Sequence, residues 1–212
     1  FRAGERGTVI DVQTESVWSL REGRAVQGAY AGRALNASPY PVEDIFPYHG
    51  VAAESNPLLA LWQRFDTVWY LAIAARGYAA DGSTVYMPMY PALIRATTVL
   101  VGNAMLAALL VSNLALIGAL ALFYRLTAHL FDDASARRAV VYLLLFPTGF
   151  FLFAAYTESL FLFFTLAAFA YALRRHWFIA SLFAALAALT RLQGVLLVVP
   201  LAYLVWQDVA KE

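Results

Sequence analysis

Long segments without charge dominate the C-terminal half of the sequence and constrain what the chain can fold into. Residues 104–124 form a run of 21 residues with no charged side chain. A helix needs about 20 apolar residues to cross roughly 30 Å of hydrocarbon. Further apolar segments follow at residues 139–157, 159–173, 178–190 and 192–207. The sequence therefore predicts an all-α, polytopic transmembrane protein.

Composition supports this class and argues against several others. The chain is 62% hydrophobic and 14% charged, whereas soluble domains carry about 25% charged residues. A net charge of +1 with no basic tract argues against a nucleic-acid partner. The absence of cysteine excludes disulfides, thiolate metal sites and a cysteine nucleophile. No metal-ligand spacing, nucleophile elbow or P-loop occurs, so neither a metal nor a cofactor is expected.

The chain divides into three parts by composition. Residues 1–56 are polar, and over residues 1–45 no periodicity of 3.6 or 2 is sustained, which predicts a loop or a poorly ordered segment; alternatively, this stretch is foreign to the fold. Residues 57–103 are expected to form an exoplasmic loop with interfacial helices. Residues 104–212 form the transmembrane region. Because the chain starts at Phe1 and lacks a signal peptide, we expect it to be an internal part of a larger protein.

Residues 57–76 have the pattern of one amphipathic helix lying in the membrane interface. At 100° per residue one face collects apolar and aromatic side chains around a carboxylate. The members of this face are Leu59, Trp62, Asp66, Trp69, Tyr70 and Ile73. Such a helix is too charged to span, and its aromatic residues are typical of a membrane–water boundary. Pro88 and Pro91 then bracket the start of a second short helix that ends at Val101.

The distribution of arginine predicts a topology. The link at residues 125–138 holds three arginines and the link at residues 174–175 holds two. The positive-inside rule places these links in the cytoplasm. Asp66, Glu158 and Arg191 then share the exoplasmic side.

Several of the apolar segments are too short to cross a bilayer comfortably. Residues 159–173 would extend about 22 Å as a helix. Glu158 and Arg191 are therefore expected below the membrane surface, where they face a cavity rather than lipid. Pro147 is expected to kink the helix over residues 139–157 and to free backbone carbonyls beside that cavity.

Three charged residues are candidates for chemistry, and each has an ordinary alternative. Asp66 on an aromatic face would be costly to desolvate without a purpose, but it could equally be the N-cap of a helix starting at Thr67, with Arg64 as a surface partner. Glu158 is either functional or a polar residue at the water interface. Arg191 either binds a lipid head group or phosphate, or extends its side chain to the interface.

Four sequence blocks resemble one family of membrane enzymes. They are residues 62–70 (WQRFDTVWY), residues 86–91 (YMPMYP), residues 147–161 (PTGFFLFAAYTESLF) and residues 190–194 (TRLQG). In this order they resemble the PIG-V-like (GPI mannosyltransferase II-like) mannosyltransferases. The resemblance covers about residues 57–205.

The resemblance implies a GT-C glycosyltransferase, a multispan helical enzyme. Such an enzyme would transfer a hexose, most simply mannose, from a polyprenyl- or dolichyl-phosphate donor to a lipid or glycan acceptor on the exoplasmic side. The eukaryotic relatives add the second mannose of the GPI anchor. The location would be the plasma membrane in a bacterium or the endoplasmic reticulum in a eukaryote, and membrane lipids would be the surroundings.

Within this resemblance the candidate residues take roles. Asp66 is the expected general base, and Arg191, or else Arg64, would stabilise the leaving phosphate. Glu158 would orient the acceptor or pair with Arg191. The expected substrate-binding residues are Arg64, Trp69, Tyr70, Tyr86, Tyr90, Tyr156, Glu158, Arg191 and Gln193. The alternatives are a transporter or channel lined by Glu158 and Arg191, which the lack of internal repeats disfavours, and an inactive scaffold of a membrane complex.

Overall fold

The computed structural model describes residues 2–3, 8–11, 16–19, 24–27, 51, 54–80 and 82–210. The chain separates into two compact units, Phe1–His49 and Gly50–Glu212. The second unit is helical throughout its described part and carries the apolar segments that the sequence analysis identified.

The first unit contains a four-stranded antiparallel sheet where the sequence analysis expected a loop. The strands β1 (Arg2–Ala3), β2 (Thr8–Asp11), β3 (Ser16–Ser19) and β4 (Arg24–Gln27) pair in sequence order. In this register Val9 lies opposite Trp18. Strands of two to four residues are too short for alternation to stand out in the sequence, although β-branched and aromatic residues favour such strands.

The second unit consists of nine α-helices and three 3₁₀ helices within the described residues. The α-helices are α1 (Pro57–Ala60), α2 (Asp66–Arg76), α3 (Met89–Val101), α4 (Ala104–Leu130), α5 (Asp133–Leu145), α6 (Phe150–Phe153), α7 (Glu158–Ala172), α8 (Trp177–Thr190) and α9 (Val198–Val209). The 3₁₀ helices are Ser83–Val85, Pro147–Gly149 and Leu192–Leu197. The core lies where α4 and α7 pack against each other and against α3 and α8.

Among the described residues, two helices are long and apolar enough to cross a membrane. They are α4 and the continuous helical segment Leu192–Val209, and a third span results if the bent pair Asp133–Leu145 and Pro147–Phe153 counts as one. Helices α3, α7 and α8 are apolar but shorter, with 13, 15 and 14 residues. The prediction of a polytopic all-α membrane protein with spans of unequal length is thus confirmed for the described part of the second unit.

A sharp bend occurs at Pro147, as the sequence predicted. The helical axes before and after the break differ by 74°. Proline lacks the amide hydrogen that would continue the ladder, and its ring clashes with the preceding turn. Gly149 then lets the chain turn back closely, because a Cβ there would lie 2.8 Å from the carbonyl oxygen of Leu144.

The single helix expected over residues 57–76 is in fact two helices. The first, α1, is capped by Asn56, whose side chain accepts a hydrogen bond from the Leu58 amide at 3.0 Å. The second begins at Asp66, directly after Phe65, which has φ 48° and ψ −126°. A positive φ at a bulky residue is costly and interrupts the helix. The apolar face was visible in the sequence, but the break was not.

The helices of the second unit run back and forth between two ends. At one end Asn103 caps α4 and binds Glu54, and Glu158 and Arg191 meet. At the other end Tyr124 bonds Asp133 after α4, and Arg175 pairs with Asp208 of α9. The arginine-rich links therefore lie at the end opposite Glu158 and Arg191, which is the grouping that the positive-inside rule required.

Large apolar side chains cover the outside of these helices. Examples on three different helices are Ile117, Phe178, Val199 and Trp206, which are 65–84% exposed. A water-soluble protein rarely exposes so much contiguous apolar surface, whereas lipid chains solvate it without cost.

Candidate active site

The site is built around the short buried segment that links α6 to α7. Three side chains from other helices hold its backbone: Thr67 donates to the Ala155 carbonyl at 3.1 Å, Ser112 donates to the Tyr156 carbonyl at 2.8 Å, and Asn113 donates to the Phe153 carbonyl at 3.1 Å. The Ala155 and Tyr156 carbonyls lie outside any helix and the Phe153 carbonyl is at the end of α6, and buried carbonyls need such partners. The start of α7 is thereby fixed against α2 and α4.

Glu158 and Arg191 form an ion pair at this position. Nη1 of Arg191 lies 2.5 Å from Oε1 of Glu158 and donates to Oγ1 of Thr157 at 3.3 Å. Glu158 is the first residue of α7, and Arg191 directly follows the last residue of α8. An acid at a helix N-terminus and a base at a C-terminus both complement the helix dipoles. The pairing that the sequence analysis proposed for these two residues is present.

The ion pair leaves part of the Arg191 guanidinium available. Both contacts of Arg191 use Nη1, and within the described residues its Nε and Nη2 donate no hydrogen bond. The second carboxylate oxygen of Glu158, Oε2, is buried and also has no partner among the described residues. Each side chain is one-third exposed. The unused nitrogens of Arg191 are therefore the part of the pair that can donate to a ligand, whereas Oε2 of Glu158 is enclosed.

Gly194 brings the turn after Arg191 close to α8. A Cβ at this position would lie 2.5 Å from the carbonyl carbon of Ala187. Its amide donates to the Arg191 carbonyl at 2.8 Å, which closes the 3₁₀ helix. The Arg-x-x-Gly block thus has a physical reason: only glycine permits this approach, and the approach sets the position of Arg191.

Asp66 is exposed at the start of α2 and is held by Tyr86. The phenol of Tyr86 donates to Oδ1 of Asp66 at 3.1 Å. The ring of Tyr86 stacks on Trp69, with centroids 5.6 Å apart. The side chain of Asp66 caps no helix amide, since Phe65 occupies the N-cap position. The argument that burial among aromatic residues would make Asp66 costly is wrong, because its position in the first turn leaves it open to solvent.

A polar cavity of about 220 Å³ lies between Tyr86 and Arg191, and Asp66 is not among the residues that line it. Four of the predicted residues line it, namely Tyr70, Tyr86, Arg191 and Gln193. The others that line it are Val85, Met87, Thr157, Thr190 and Leu192. Trp69 and Glu158 do not line the cavity but contact residues that do: Trp69 stacks on Tyr86, and Glu158 pairs with Arg191. The cavity thus brings together an arginine, four hydroxyl groups from two tyrosines and two threonines, and the side-chain amide of a glutamine.

The pKa of Tyr70, which lines the cavity, is influenced by the charged groups around it. Burial raises the pKa of Tyr70 to about 12, and the carboxylates of Asp66 and Glu158 act in the same direction. A hydrogen bond with Thr157 and the charge of Arg191 oppose this rise. The Tyr70 phenol therefore stays protonated at neutral pH and serves as a hydrogen-bond donor.

Tyr90 has a different position from the expected one. It is fully buried, and its hydroxyl lies 2.7 Å from Oγ of Ser112 and 3.0 Å from the Ala108 carbonyl. A sugar cannot reach a phenol that is enclosed between α3 and α4. The expectation of direct substrate contact by Tyr90 is corrected accordingly: it supports Tyr70, whose ring packs edge-on at 5.0 Å.

Tyr156 and Arg64 lie beside the cavity rather than in it. Tyr156 is buried, and its hydroxyl donates to the Arg64 carbonyl at 3.5 Å. Arg64 is exposed, and no contact joins its side chain to Asp66 among the described residues. Neither lines the cavity, so direct contact with a substrate held in this cavity is not supported for either side chain.

Two threonines of the site went unrecognised in the sequence. Thr157 binds the Arg191 guanidinium, and Thr190 lines the cavity just before it. Each directly precedes a charged residue that the sequence analysis selected, and this adjacency was the available signal. Within the described residues no cluster of three or more His, Asp or Glu side chains could hold a metal ion.

The comparison with protein families decides the classification. The family model for dolichyl-phosphate-mannose-protein mannosyltransferase matches residues 85–212, more than half of the chain. The chain belongs to the dolichyl-phosphate-mannose-protein mannosyltransferase family. No curated protein and no solved structure matches the chain.

Membership in this mannosyltransferase family indicates the class of reaction and covers part of the candidate site. It implies an integral membrane glycosyltransferase with mannosyltransferase activity, and the family's description names dolichyl-phosphate mannose as donor. The matched segment includes Tyr86, Glu158, Arg191 and Gln193. Asp66 lies before it, so the family match and the candidate base come from different parts of the chain.

Proposed function

We propose that this protein transfers mannose from a dolichyl- or polyprenyl-phosphate donor to a lipid or glycan acceptor on the exoplasmic face, as a PIG-V-like member of its family. The observation that carries the proposal is the cavity in which Arg191 faces Tyr86, the residue that holds Asp66. A cation for a phosphate and a carboxylate for a proton are the two groups that this transfer needs.

Arg191 would bind the phosphate of the donor. Its two uncommitted nitrogens offer donors for phosphate oxygens, and Glu158 and Thr157 fix the orientation of the guanidinium. Charge builds up on the phosphate as the bond between it and the anomeric carbon breaks. A cation that is already in position stabilises this charge more in the transition state than in the ground state.

Asp66 would accept the proton from the acceptor hydroxyl. The acceptor oxygen forms the new bond to the anomeric carbon while the lipid phosphate leaves from the opposite face, which inverts the configuration. Asp66 is exposed, so an acceptor can approach it, and the hydrogen bond from Tyr86 fixes its orientation. A positioned base of this kind contributes about 10²–10⁴-fold to the rate.

The remaining residues of the cavity would hold the sugar. Tyr70 and Gln193 supply hydrogen-bonding groups, and the stacked pair of Trp69 and Tyr86 offers an aromatic surface. Glu158 would act through Arg191, whose guanidinium it orients by the ion pair. Such contacts fix the anomeric carbon between the base and the phosphate site.

The test is transfer of labelled mannose by membranes that contain the protein. Dolichyl-phosphate mannose and GDP-mannose are supplied separately, and the products are separated into lipid-extractable and protein-bound label. We expect transfer from the lipid-linked donor into the lipid-extractable fraction. Transfer from GDP-mannose alone would overturn the donor assignment, and label confined to protein would overturn the PIG-V-like acceptor assignment.

A further inference from the structure

A second cavity lies at the end of the helices opposite the candidate active site. It has a volume of about 610 Å³ between the C-terminal parts of α4 and α7. Helix α4 contains 27 residues and is about 40 Å long, so this cavity is far from Asp66. It is lined by Leu122, Arg125, Leu126, His129, Ala170, Tyr171, Leu173 and Arg174.

Within the part of the chain that the structure describes, the basic side chains around this cavity have no counterions. Among the described residues Arg125, His129 and Arg174 take part in no ion pair or hydrogen bond through their side chains. The described acids at this end are engaged elsewhere: Asp133 pairs with Arg137 at 2.8 Å, Asp132 caps α5 through Ser135, and Asp208 pairs with Arg175. Three basic residues thus converge on one cavity without neutralisation.

The cavity also has an apolar side. Leu122, Leu126, Ala170 and Leu173 line it next to the arginines. Tyr171 is fixed in place by stacking on Phe183, with ring centroids 5.6 Å apart. A freely soluble anion would make no favourable contact with the apolar side, whereas a phospholipid presents a phosphate and acyl chains together. Basic pockets between membrane helices on the cytoplasmic side typically bind anionic head groups.

We propose that this cavity is a binding site for the head group of an anionic phospholipid of the cytoplasmic leaflet. Arg125 and Arg174 bind the phosphate, and the leucines contact the first part of the acyl chains. The C-terminal ends of both helices already favour positive charge, so the arginines remain available without destabilising the bundle. This site is separate from the proposed transfer reaction and does not depend on it.

The test measures binding of phosphatidylglycerol and of phosphatidylcholine to the purified protein in detergent by native mass spectrometry. The variant R125Q/R174Q is compared with R137Q/R138Q, which removes the same charge at the same end but outside the cavity. Each arginine contributes about fivefold to binding of an anionic lipid. We expect wild type and R137Q/R138Q to prefer phosphatidylglycerol and R125Q/R174Q to lose about 30-fold in affinity for it.

Three results would overturn the proposal. The first is that R125Q/R174Q still prefers phosphatidylglycerol. The second is that the preference falls equally in R137Q/R138Q, which would indicate diffuse charge. The third is that inorganic phosphate, at the same concentration as the lipid, displaces the lipid. Should R125Q/R174Q fail to fold, Ala170→Trp fills the cavity while keeping the charges. It must also abolish the preference, and an unchanged preference in that variant would contradict the site.

Discussion

Arg191 is the residue on which the phosphate assignment depends. It is held by Glu158 and Thr157, and it lines the cavity together with Tyr86. A bare cation in this place would be free to rotate, whereas the ion pair orients it. Orientation before the substrate binds is what makes a charge useful in the transition state.

Replacing Arg191 by alanine should mainly impair use of the donor. We expect kcat/KM for dolichyl-phosphate mannose to fall by about 100-fold, since one preorganised donor to a developing charge contributes about 10²–10³-fold. The measurement is steady-state transfer with each substrate varied in turn. Arg175→Ala, which breaks an ion pair at the opposite end, is the control and should transfer normally. An effect confined to the KM of the acceptor would count against the phosphate role.

Tyr90 and Tyr86 provide a matched pair of substitutions to phenylalanine. Tyr90→Phe removes a buried hydroxyl that bonds Ser112 and Ala108, and it should lower the free energy of unfolding by about 1–2 kcal/mol without changing either KM. Tyr86→Phe removes the hydrogen bond to Asp66, and it should lower kcat by about tenfold with little loss of stability. Thermal unfolding in detergent and initial rates separate the two. A changed KM for the donor in Tyr90→Phe would indicate that Tyr90 contacts the sugar after all, which would contradict the conclusion drawn from its burial.

At the scale of elements, the site depends on how closely the 3₁₀ helix Leu192–Leu197 approaches α8. Gly194 is buried against the backbone of Ala187 and Ala188. Backbone atoms cannot move aside as a flexible side chain can, so any larger residue must push the two elements apart. Arg191 lies at the junction and would move with them.

Gly194→Ala should therefore destabilise the protein and impair donor use together. We expect a loss of about 3 kcal/mol in the free energy of unfolding, at the upper end for overpacking, and a lower kcat/KM for the donor. Leu196→Ala, at a 68% exposed position of the same 3₁₀ helix, should change both little. Normal stability and normal donor use in Gly194→Ala would show that the close approach is not required.

The sequence was sufficient to predict structural features that depend on local composition, but not those that depend on tertiary structure. The apolar run at residues 104–124 and the bend at Pro147 follow from composition and from proline geometry, and both were predicted. The break before Asp66 depends on the backbone of Phe65, where φ is 48°, and periodicity does not report it. The strands between Arg2 and Gln27 are too short for an alternation of apolar and polar residues to be recognised in the sequence.

The same distinction applies to the site. Glu158 and Arg191 were predicted because charge inside an apolar segment is rare and costly. The burial of Tyr90 was not predictable, because an aromatic residue in the sequence is equally suited to a cavity wall and to a helix interface. Thr157 and Thr190 carry no charge, so nothing but their neighbours in the chain marked them.

At the scale of the whole molecule, charge is sorted between the two ends of the helices. Arg125, Arg174 and Arg175 lie at one end, and Glu158 and Arg191 lie at the other. The first end carries the lipid cavity, and the second end carries the candidate active site. The positive-inside rule predicts that the first end is cytoplasmic.

This orientation can be measured directly, because the chain contains no cysteine. Single cysteines are introduced at Leu58, exposed near the candidate site, and at Ala134, exposed after α4. A membrane-impermeant maleimide added outside intact cells or sealed vesicles of known orientation should label Leu58→Cys and spare Ala134→Cys until the membrane is opened. The opposite labelling pattern would place the candidate active site in the cytoplasm and rule out an exoplasmic acceptor.

The claim that Asp66 is the base of a mannosyl transfer is tested most directly by Asp66→Asn. Asparagine keeps the size of the side chain and can still bond Tyr86, but it cannot accept the proton. At saturating donor and equal amounts of folded protein, we predict a rate at least about 100-fold below wild type, with binding of dolichyl-phosphate mannose retained and Asp208→Asn transferring normally. An unchanged transfer rate in folded Asp66→Asn would contradict the assignment.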